Sequence, residues 1–484
     1  MSKSKYQIIL WFFIGAYAVY FSYFTILRFQ TLYASYFDLG IMHQTVYNTY
    51  QAIASWDWSR FLELTNPFGS EQIKRMAIHN DILLALLAPF YFIYSGPETL
   101  LVIQTAAIAL GAFGIYKIAQ IVFGKNKYKD LLSLVFSLSY LLYPPLQRVN
   151  LYEFHAVALV TSFIIFMFYF WLVKRYKLSL LFLILSLLSK EQVGLTTAFF
   201  GAYALLRMGV TKRHWFPITV IALSVLWFIL SIFVIIPYFR GSNHFALSYY
   251  NDFGDSPLKV MIGIFNNPSS LTKYIFHIDT FRYLLFMLGP LGFISIFAPL
   301  ELLISLPEWA INLLSKSWAM RSIVFHYTAV IQPFVFIAAI YGARKLIRIN
   351  FIIVITIIII STLVFAYFKG PLPYSLSQEI HPFKYPQKEY KQLEYWKDSL
   401  KDEKIKVSST GQLAPHFTSR RYFYTFSDRY VLADFIVIRP TEIYNYPEKE
   451  ELIPVYEKLV KDNRFKKIHD QDGLVVYKKN PKSK

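Results

Sequence analysis

The sequence predicts an α-helical polytopic membrane protein that ends in a small water-soluble α/β domain. Three observations lead to this fold class. Hydrophobic residues make up 55% and aromatic residues 19% of the 484 residues, more than the core of one soluble domain requires. The apolar residues fall in long runs separated by short polar stretches. The last apolar run is followed by a strongly charged region.

The net charge of the chain is +19, and many of its basic residues fall in short clusters between the apolar runs, at residues 3–5, 125–129, 174–177, 207–213 and 344–348. The positive-inside rule places such clusters on the cytoplasmic side, so we expect membrane lipids and no nucleic acid as partners. The absence of cysteine excludes disulfides, thiolate catalysis and zinc–thiolate sites.

The first apolar run, residues 6–27, is about as long as a bilayer-spanning helix and lacks a small-residue cleavage site. We therefore predict a signal anchor with a cytoplasmic N-terminus, followed by a first external loop at residues 28–97. Within this loop, residues 81–94 form an apolar stretch of about 14 residues, too short for a crossing. Pro89 interrupts this stretch, so we predict a re-entrant or interfacial helix.

The remaining runs predict a multi-pass protein of the cell membrane with about eleven transmembrane helices within residues 1–369. A second large external loop is expected at residues 238–280. Gly289-Pro290 and Pro299 interrupt a late pair of short helices. The predicted spans after the first loop are residues 98–122, 130–146, 155–173, 178–189, 192–208, 215–237, 281–297, 299–314, 326–341 and 351–368.

Residues 370–484 predict a soluble domain, external by the same topology. They hold 21 Lys and Arg and 16 Asp and Glu residues. Apolar periodicity predicts helices at 388–403 and 447–462, and strands at 405–409, 430–438 and 473–479. This alternation is typical of a small α/β unit.

Ionisable residues beside membrane spans are costly, so they indicate either function or paired structural roles. The topology places several of them at separate external turns, where we expect them to meet in one cavity. Two more, in the soluble domain, are expected to reach over the membrane face. These residues are Asp38, His79, Asp81, Glu153, His155, Lys190, Glu191, Glu308, Arg321 and His326, with His416 and Arg420 in the soluble domain.

Structural roles are open alternatives for these residues. Asp38, or His79 with Asp81, could cap a following helix. Lys190 and Glu191 could pair with each other, although a lysine at this depth also suits a lipid phosphate or pyrophosphate.

Short motifs beside the apolar runs add a family resemblance. They are Phe37-Asp38-Leu39-Gly40-Ile41 with Gln44, the His79 segment with Pro89-Phe90-Tyr91, Leu101-Val102-Ile103-Gln104, Tyr143-Pro144-Pro145, Glu153-Phe154-His155, Lys190-Glu191 with Gly194, Pro307-Glu308, His326-Tyr327, and Pro415-His416 with Arg420. Together they resemble an uncharacterised family of prokaryotic, often archaeal, membrane proteins known only as a domain of unknown function. That family in turn resembles the GT-C glycosyltransferases, which use polyprenyl-phosphate-linked sugars.

The GT-C resemblance implies a long first external loop with an early acid, a second acid after span 3 and a lysine after span 5. Here these catalytic positions are Asp38, Glu153 and Lys190. Asp38 would be the base of an inverting sugar transfer, and Lys190, helped by Arg321 or His155, would stabilise the leaving phosphate. The resemblance implies substrate-binding roles for His79, Asp81, His155, Glu191, Arg321, His326, His416 and Arg420.

Two departures from the GT-C pattern leave metal dependence open. The first loop carries one acid where many GT-C enzymes carry a pair, and Gln192 follows Lys190-Glu191 where an acid is expected. A divalent ion, Mg²⁺ or Mn²⁺, remains an open cofactor, with Asp38, His79 and Glu153 as candidate ligands.

Two other functions stay open at this point. A lipid or solute transporter or flippase would place its ionisable residues near the bilayer midplane, on repeated halves. An inactive assembly protein would keep Asp38, Glu153 and Lys190 too far apart to share a substrate. The sugar, the lipid carrier, the acceptor and the oligomeric state are not encoded in these patterns.

Overall fold

The computed structural model describes residues 3–208, 214–380, 389–445 and 447–481. The chain is mostly helical, and its larger sheet lies near the C-terminus. The basic residues Lys212 and Arg213 and the predicted helix start at residue 388 lie outside the described residues.

In the first half, the predicted spans coincide with helices, apart from one break. The span predicted at 130–146 ends at Leu141. The helical conformation is unfavourable for a residue that precedes proline, here Tyr143, and Pro144 starts a new helix. The helices are α1 (Lys3–Gln30), α2 (Ile41–Ser55), α3 (Leu83–Leu87), α4 (Glu98–Phe123), α5 (Lys129–Leu141), α6 (Pro144–Tyr152), α7 (Ala156–Leu172), α8 (Tyr176–Leu187) and α9 (Val193–Met208).

The later helices are more broken than the apolar runs predict. The predicted breaks at Gly289-Pro290 and Pro299 are present, but a 3-10 turn at Leu303–Ser305 divides the run at 299–314 again. The helix predicted from 326 begins only at Gln332. A π-helical turn joins the first two helices of this half. The helices are α10 (Trp215–Leu230), α11 (Ile236–Arg240), α12 (Pro257–Asn266), α13 (Pro268–Ile275), α14 (Ile278–Leu288), α15 (Pro299–Leu302), α16 (Leu306–Leu313), α17 (Gln332–Leu346) and α18 (Phe351–Lys369).

Among the described residues, four helices are long and apolar enough to cross a membrane by length and composition: Lys5–Gln30, Glu98–Phe123, Trp215–Arg240 and Phe351–Lys369. Others are shorter, and α8, with 12 residues, is only about 18 Å long. The count of about eleven crossings and the sidedness of the termini therefore stay predictions.

The first loop is folded rather than extended. A π-helical turn, Tyr36–Gly40, leads into α2, and strands β1 (Glu63–Thr65) and β2 (Gln72–Lys74) pair as a hairpin. The stretch predicted as an interfacial helix forms α3 and the 3-10 turn Ala88–Phe92. Large apolar side chains around this turn are exposed, which is typical of a segment that lies in a membrane interface.

The C-terminal region contains a five-stranded mixed sheet in the order β4-β3-β5-β7-β6. The three predicted strands appear, but residues 430–432 belong to a 3-10 turn that precedes β5. Strands β4 and β6 were not predicted, because β4 has three residues and β6 is mostly charged and exposed. The elements are α19 (Tyr390–Ser399), β3 (Val407–Ser409), β4 (Phe423–Thr425), β5 (Phe435–Ile438), α20 (Pro440–Asn445), α21 (Lys449–Lys461), β6 (Phe465–Gln471) and β7 (Leu474–Lys479).

The sheet packs on the first loop through a shared apolar core, in which Tyr36 stacks near Phe423. The Tyr36 N–H donates to the Gly411 carbonyl at 3.0 Å. The Arg421 guanidinium pairs with Glu63 at 2.8 Å. Because the two regions share a core, a domain boundary at residue 370 stays a prediction.

The absence of cysteine makes the predicted sidedness testable by single introduced thiols. Lys127 and Lys466 are both exposed, before α5 and in β6 respectively. We expect Lys466→Cys to react with a membrane-impermeant maleimide on intact cells, and Lys127→Cys to react only after permeabilisation. The reverse pattern would invert the topology, and labelling of both positions on intact cells would place both segments outside.

Candidate functional site

A cavity of about 550 Å³ lies where the first loop meets the turns between the helices. This volume is in the range of small-molecule sites. Its wall is largely apolar, with a cluster of ionisable groups. Seven of the predicted site residues line it: Asp38, His79, Asp81, His155, Lys190, Glu191 and His326.

Asp38 lies in the π-helical turn that precedes α2. Its Oδ1 is 2.9 Å from Nε2 of His155, and its Oδ2 accepts a hydrogen bond from the Tyr152 hydroxyl at 2.7 Å. Burial raises the pKa of Asp38, but His155, Tyr152 and the charge of Lys190 together hold this pKa below its usual range. Asp38 is therefore an ionised carboxylate, and 22% of its side chain remains exposed to the cavity.

Glu153 lies behind Asp38 and does not line the cavity. Its two oxygens accept the backbone N–H groups of Ser35, at 3.0 Å, and Leu39, at 2.7 Å. These donors flank Asp38 in the chain, so Glu153 anchors the turn that carries the carboxylate. Burial and the negative charge of Asp38 raise the pKa of Glu153 well above its usual range, although the two N–H donors act in the opposite direction.

His155 and His326 stack with their ring centroids 3.8 Å apart. Both side chains are buried, and within the described residues neither Nδ1 has a hydrogen-bond partner. His326 therefore supports the ring that holds Asp38.

Lys190 follows α8 and is half-buried in the cavity wall. Its Nζ lies 5.9 Å from the centroid of the Tyr327 ring. Across the part of the chain that the structure describes, no carboxylate lies within salt-bridge distance of this ammonium group. The alternative that Lys190 pairs with Glu191 is thus not the arrangement found here.

Glu191 instead faces two imidazoles. Its Oε1 lies 2.8 Å from Nδ1 of His79 and 3.1 Å from Nε2 of His244, and its Oε2 accepts the Asn80 N–H at 3.0 Å. Asn80 is held in turn by its side-chain amide, which donates to Ser231 at 2.7 Å. The turn after α8 is therefore tied to the first loop and, through His244, to the second large loop.

Asp81 is bound by Arg75, which the sequence patterns did not single out. The guanidinium Nε is 2.8 Å from Oδ1 and Nη2 is 2.7 Å from Oδ2, and both side chains are 3% exposed. A buried bidentate pair of this kind fixes local geometry. Both oxygens of Asp81 are engaged, so this residue shapes the cavity wall.

Three predicted substrate-binding residues lie away from the cavity lining. Arg321 lies over the Tyr274 ring at 5.6 Å. His416 stacks on Phe29 at 4.1 Å, and Arg420 donates to the backbone carbonyls of Phe417, Ile405 and Leu400. Arg420 thus braces the C-terminal region internally, whereas His416 joins that region to the end of α1.

The proposed metal ligands Asp38, His79 and Glu153 do not converge on one point. The Asp38 oxygens contact His155 and Tyr152, and those of Glu153 accept two backbone N–H groups. These residues do not fit an Mg²⁺ or Mn²⁺ site. Within residues 3–208, 214–380, 389–445 and 447–481, a different group, His79, Glu191 and His244, brings ligand atoms within 4.8 Å of one another.

Comparison with known proteins identifies the family. Residues 28–476 match the family described as "Predicted membrane protein (DUF2079)". The chain belongs to this family. No curated protein matches the DUF2079 chain. Among solved structures, apo ArnT from Cupriavidus metallidurans is similar, with a TM-score of 0.44 and 11% identity over 96% of this chain and 98% of ArnT. Because this TM-score is below 0.5, the likeness supports no further statement.

Sequence patterns missed Arg75, Tyr152 and His244 as members of this site. His244 carried a usable signal, because the chain has only 10 histidines and this one lies in a polar loop between apolar runs. Arg75 and Tyr152 carried none, since single arginines and tyrosines are ordinary at membrane interfaces.

The anchoring role of Glu153 predicts a stability effect. Glu153→Ala leaves the N–H groups of Ser35 and Leu39 without their acceptor, a loss of about 1–3 kcal/mol for each buried group. We expect a lower thermal unfolding midpoint in detergent, measured by intrinsic fluorescence. Glu153→Gln, which keeps one oxygen, should lose less.

Glu457→Ala, at an exposed position of α21, is the matched control and should keep the wild-type midpoint. Equal midpoints for Glu153→Ala and wild type would show that the turn does not depend on this carboxylate.

Proposed function

We propose that this DUF2079 protein is a membrane glycosyltransferase. It transfers a sugar from a polyprenyl-phosphate-linked donor to an acceptor hydroxyl at the external face, with inversion at the anomeric carbon. One observation carries the proposal: Asp38, a carboxylate held ionised, and Lys190, an ammonium group with no carboxylate partner among the described residues, line one cavity.

Asp38 is the proposed base. An inverting transfer needs a proton acceptor on the face of the sugar opposite the leaving group. A carboxylate has about four acceptor positions, so Asp38 can accept a substrate hydroxyl while it keeps its bonds to His155 and Tyr152. These two bonds orient the carboxylate, and the acceptor hydroxyl becomes acidic as its bond to the anomeric carbon forms.

Lys190 is the proposed stabiliser of the leaving phosphate. Negative charge develops on that phosphate as the glycosidic bond breaks, and an ammonium group placed nearby lowers the barrier. The acids of the cavity wall are already engaged by other groups, Asp81 by Arg75 and Glu191 by two histidines. Lys190 therefore remains available for an anion.

The apolar part of the cavity supports a lipid-borne donor. Phe228 and Ile232 from the helix at residues 215–240, and Met261 and Ile264 from α12, line the same cavity as Asp38 and His155. The same helices expose large apolar side chains, among them Phe265, on the protein surface. Such a surface favours contact with lipid, so a polyprenyl chain could lie beside the polar groups.

The transporter alternative has less support. A transporter is expected to hold its ionisable residues near the middle of discontinuous helices. Here Asp38, His79 and Lys190 lie in loops and turns that connect helices.

The proposed roles predict loss of transfer in two single variants. Purified protein would be assayed with a panel of polyprenyl-phospho-sugars. We expect Asp38→Asn to lower turnover by about 10²-fold or more, because the base is lost. Lys190→Ala should lower it by a similar factor of about 10²-fold, because the leaving phosphate loses its cation.

Asp428→Asn and Lys458→Ala are matched controls, since these residues form an exposed pair in the C-terminal region. Both should keep wild-type turnover, and all four variants should reach the membrane in wild-type amounts. Full activity of Asp38→Asn or Lys190→Ala would refute the role assigned to that residue. Movement of labelled lipid across vesicles without any sugar transfer would favour a flippase.

A further inference from the structure

One cluster in the cavity wall has chemistry that the proposed sugar transfer does not use. His79 comes from the first loop, Glu191 from the turn after α8, and His244 from the second loop. Nδ1 of His79 and Nε2 of His244 lie 2.8 Å and 3.1 Å from the same oxygen, Oε1 of Glu191. Three residues that are distant in sequence thus direct one ligand atom each to a common point.

The spacing of these atoms resembles that of metal ligands. In a tetrahedral zinc site with bonds of about 2.0–2.1 Å, neighbouring ligand atoms are about 3.3 Å apart. The two distances at Glu191 are slightly shorter, so a small outward movement of the two rings makes room for an ion. We propose that His79, Glu191 and His244 bind one divalent transition-metal ion of the zinc class.

Surrounding contacts hold the ligands in place, as is usual around metal sites. The Asn80 N–H donates to Oε2 of Glu191, which leaves Oε1 to face the imidazoles. The His79 ring packs against Phe245, with centroids 5.3 Å apart, and against the ring of His244 at 5.2 Å. Glu191 and His244 are buried, so both ligands are shielded from bulk water.

The proton positions show what metal binding changes. The Ala246 N–H donates to Nδ1 of His244 at 3.0 Å, so in this arrangement Nε2 carries the ring proton and donates to Glu191. A metal at Nε2 requires the proton on Nδ1 instead, and this one backbone contact must open. His79 likewise moves its proton from Nδ1 to Nε2.

The donor set selects the class of ion. Two imidazole nitrogens and one carboxylate suit zinc and its neighbours, whereas Mg²⁺ prefers oxygen ligands throughout. Three protein ligands leave at least one coordination position open. All three residues line the cavity, so this position faces the space where a substrate would bind. The proposal does not depend on the sugar transfer.

The test uses the full chain, purified in detergent with its affinity tag removed and stripped with a chelator. Zn²⁺, Co²⁺ and Mg²⁺ are added separately. Calorimetry and elemental analysis give affinity and stoichiometry, and the visible absorption of Co²⁺ reports its ligand geometry. The variants are His244→Ala and Glu191→Gln, and the control is His277→Ala.

His277 is a matched control because its Nδ1 also accepts the N–H two residues further on, that of Asp279 at 3.2 Å, without facing a second histidine. We expect one Zn²⁺ or Co²⁺ per wild-type or His277→Ala chain, a tetrahedral Co²⁺ spectrum, and no competition from Mg²⁺. His244→Ala and Glu191→Gln should bind about 10-fold more weakly or worse.

The proposal is overturned if stripped wild-type protein binds no transition metal, or if Mg²⁺ binds equally well. It is also overturned if folded His244→Ala keeps wild-type affinity. The wild-type titration and the Co²⁺ spectrum decide the question even where a variant fails to fold. Failure of the sugar-transfer assay has no bearing on these measurements.

Discussion

The candidate site depends on the position of one turn, and a carboxylate behind it fixes that position. Glu153 accepts the N–H groups of Ser35 and Leu39, one on each side of Asp38. The Tyr36 N–H within the same turn donates to Gly411 of the C-terminal region. The turn is thus held from the helical part on one side and from the sheet-bearing part on the other. A catalytic carboxylate needs such support, because small displacements of a reacting group cost much of its effect.

Several carboxylates lie close together in the cavity wall, although the wall is largely apolar. Asp81 is matched by Arg75, Glu191 by two imidazoles and a backbone N–H, and Asp38 by His155 and Tyr152. Each of these acids has its own donors. Because isolated buried charges are costly, such matching offsets part of the cost of burying each carboxylate. Lys190 lies outside these sets, and for this reason we propose it as the contact for an anionic group of a substrate.

Sequence patterns predicted which turns contribute residues to the cavity but not which side chains bond to one another there. The external turns that carry Asp38, His155 and Lys190 follow from apolar runs and basic clusters, and these residues share one cavity. Their partners do not follow, because a hydrogen bond such as that from Leu39 to Glu153 joins positions 114 residues apart. The helix end before Pro144 was misjudged, because this proline starts a new helix, whereas the break at Pro299 was predicted. Periodicity identifies an apolar run but not the point at which tertiary packing breaks it.

The two glutamates at neighbouring turns show why residue type alone could not separate anchors from ligands. Glu153 follows α6 and Glu191 follows α8, and both are almost completely buried. The first is surrounded by backbone N–H groups, which can only donate, so its carboxylate serves as an anchor. The second faces imidazoles. When the ring proton moves to the other ring nitrogen, the nitrogen that faces Glu191 has a free lone pair and can bind an ion. The difference lies in what each carboxylate meets in space. Glutamate therefore anchors backbone N–H groups at residue 153 and forms part of the proposed ligand set at residue 191.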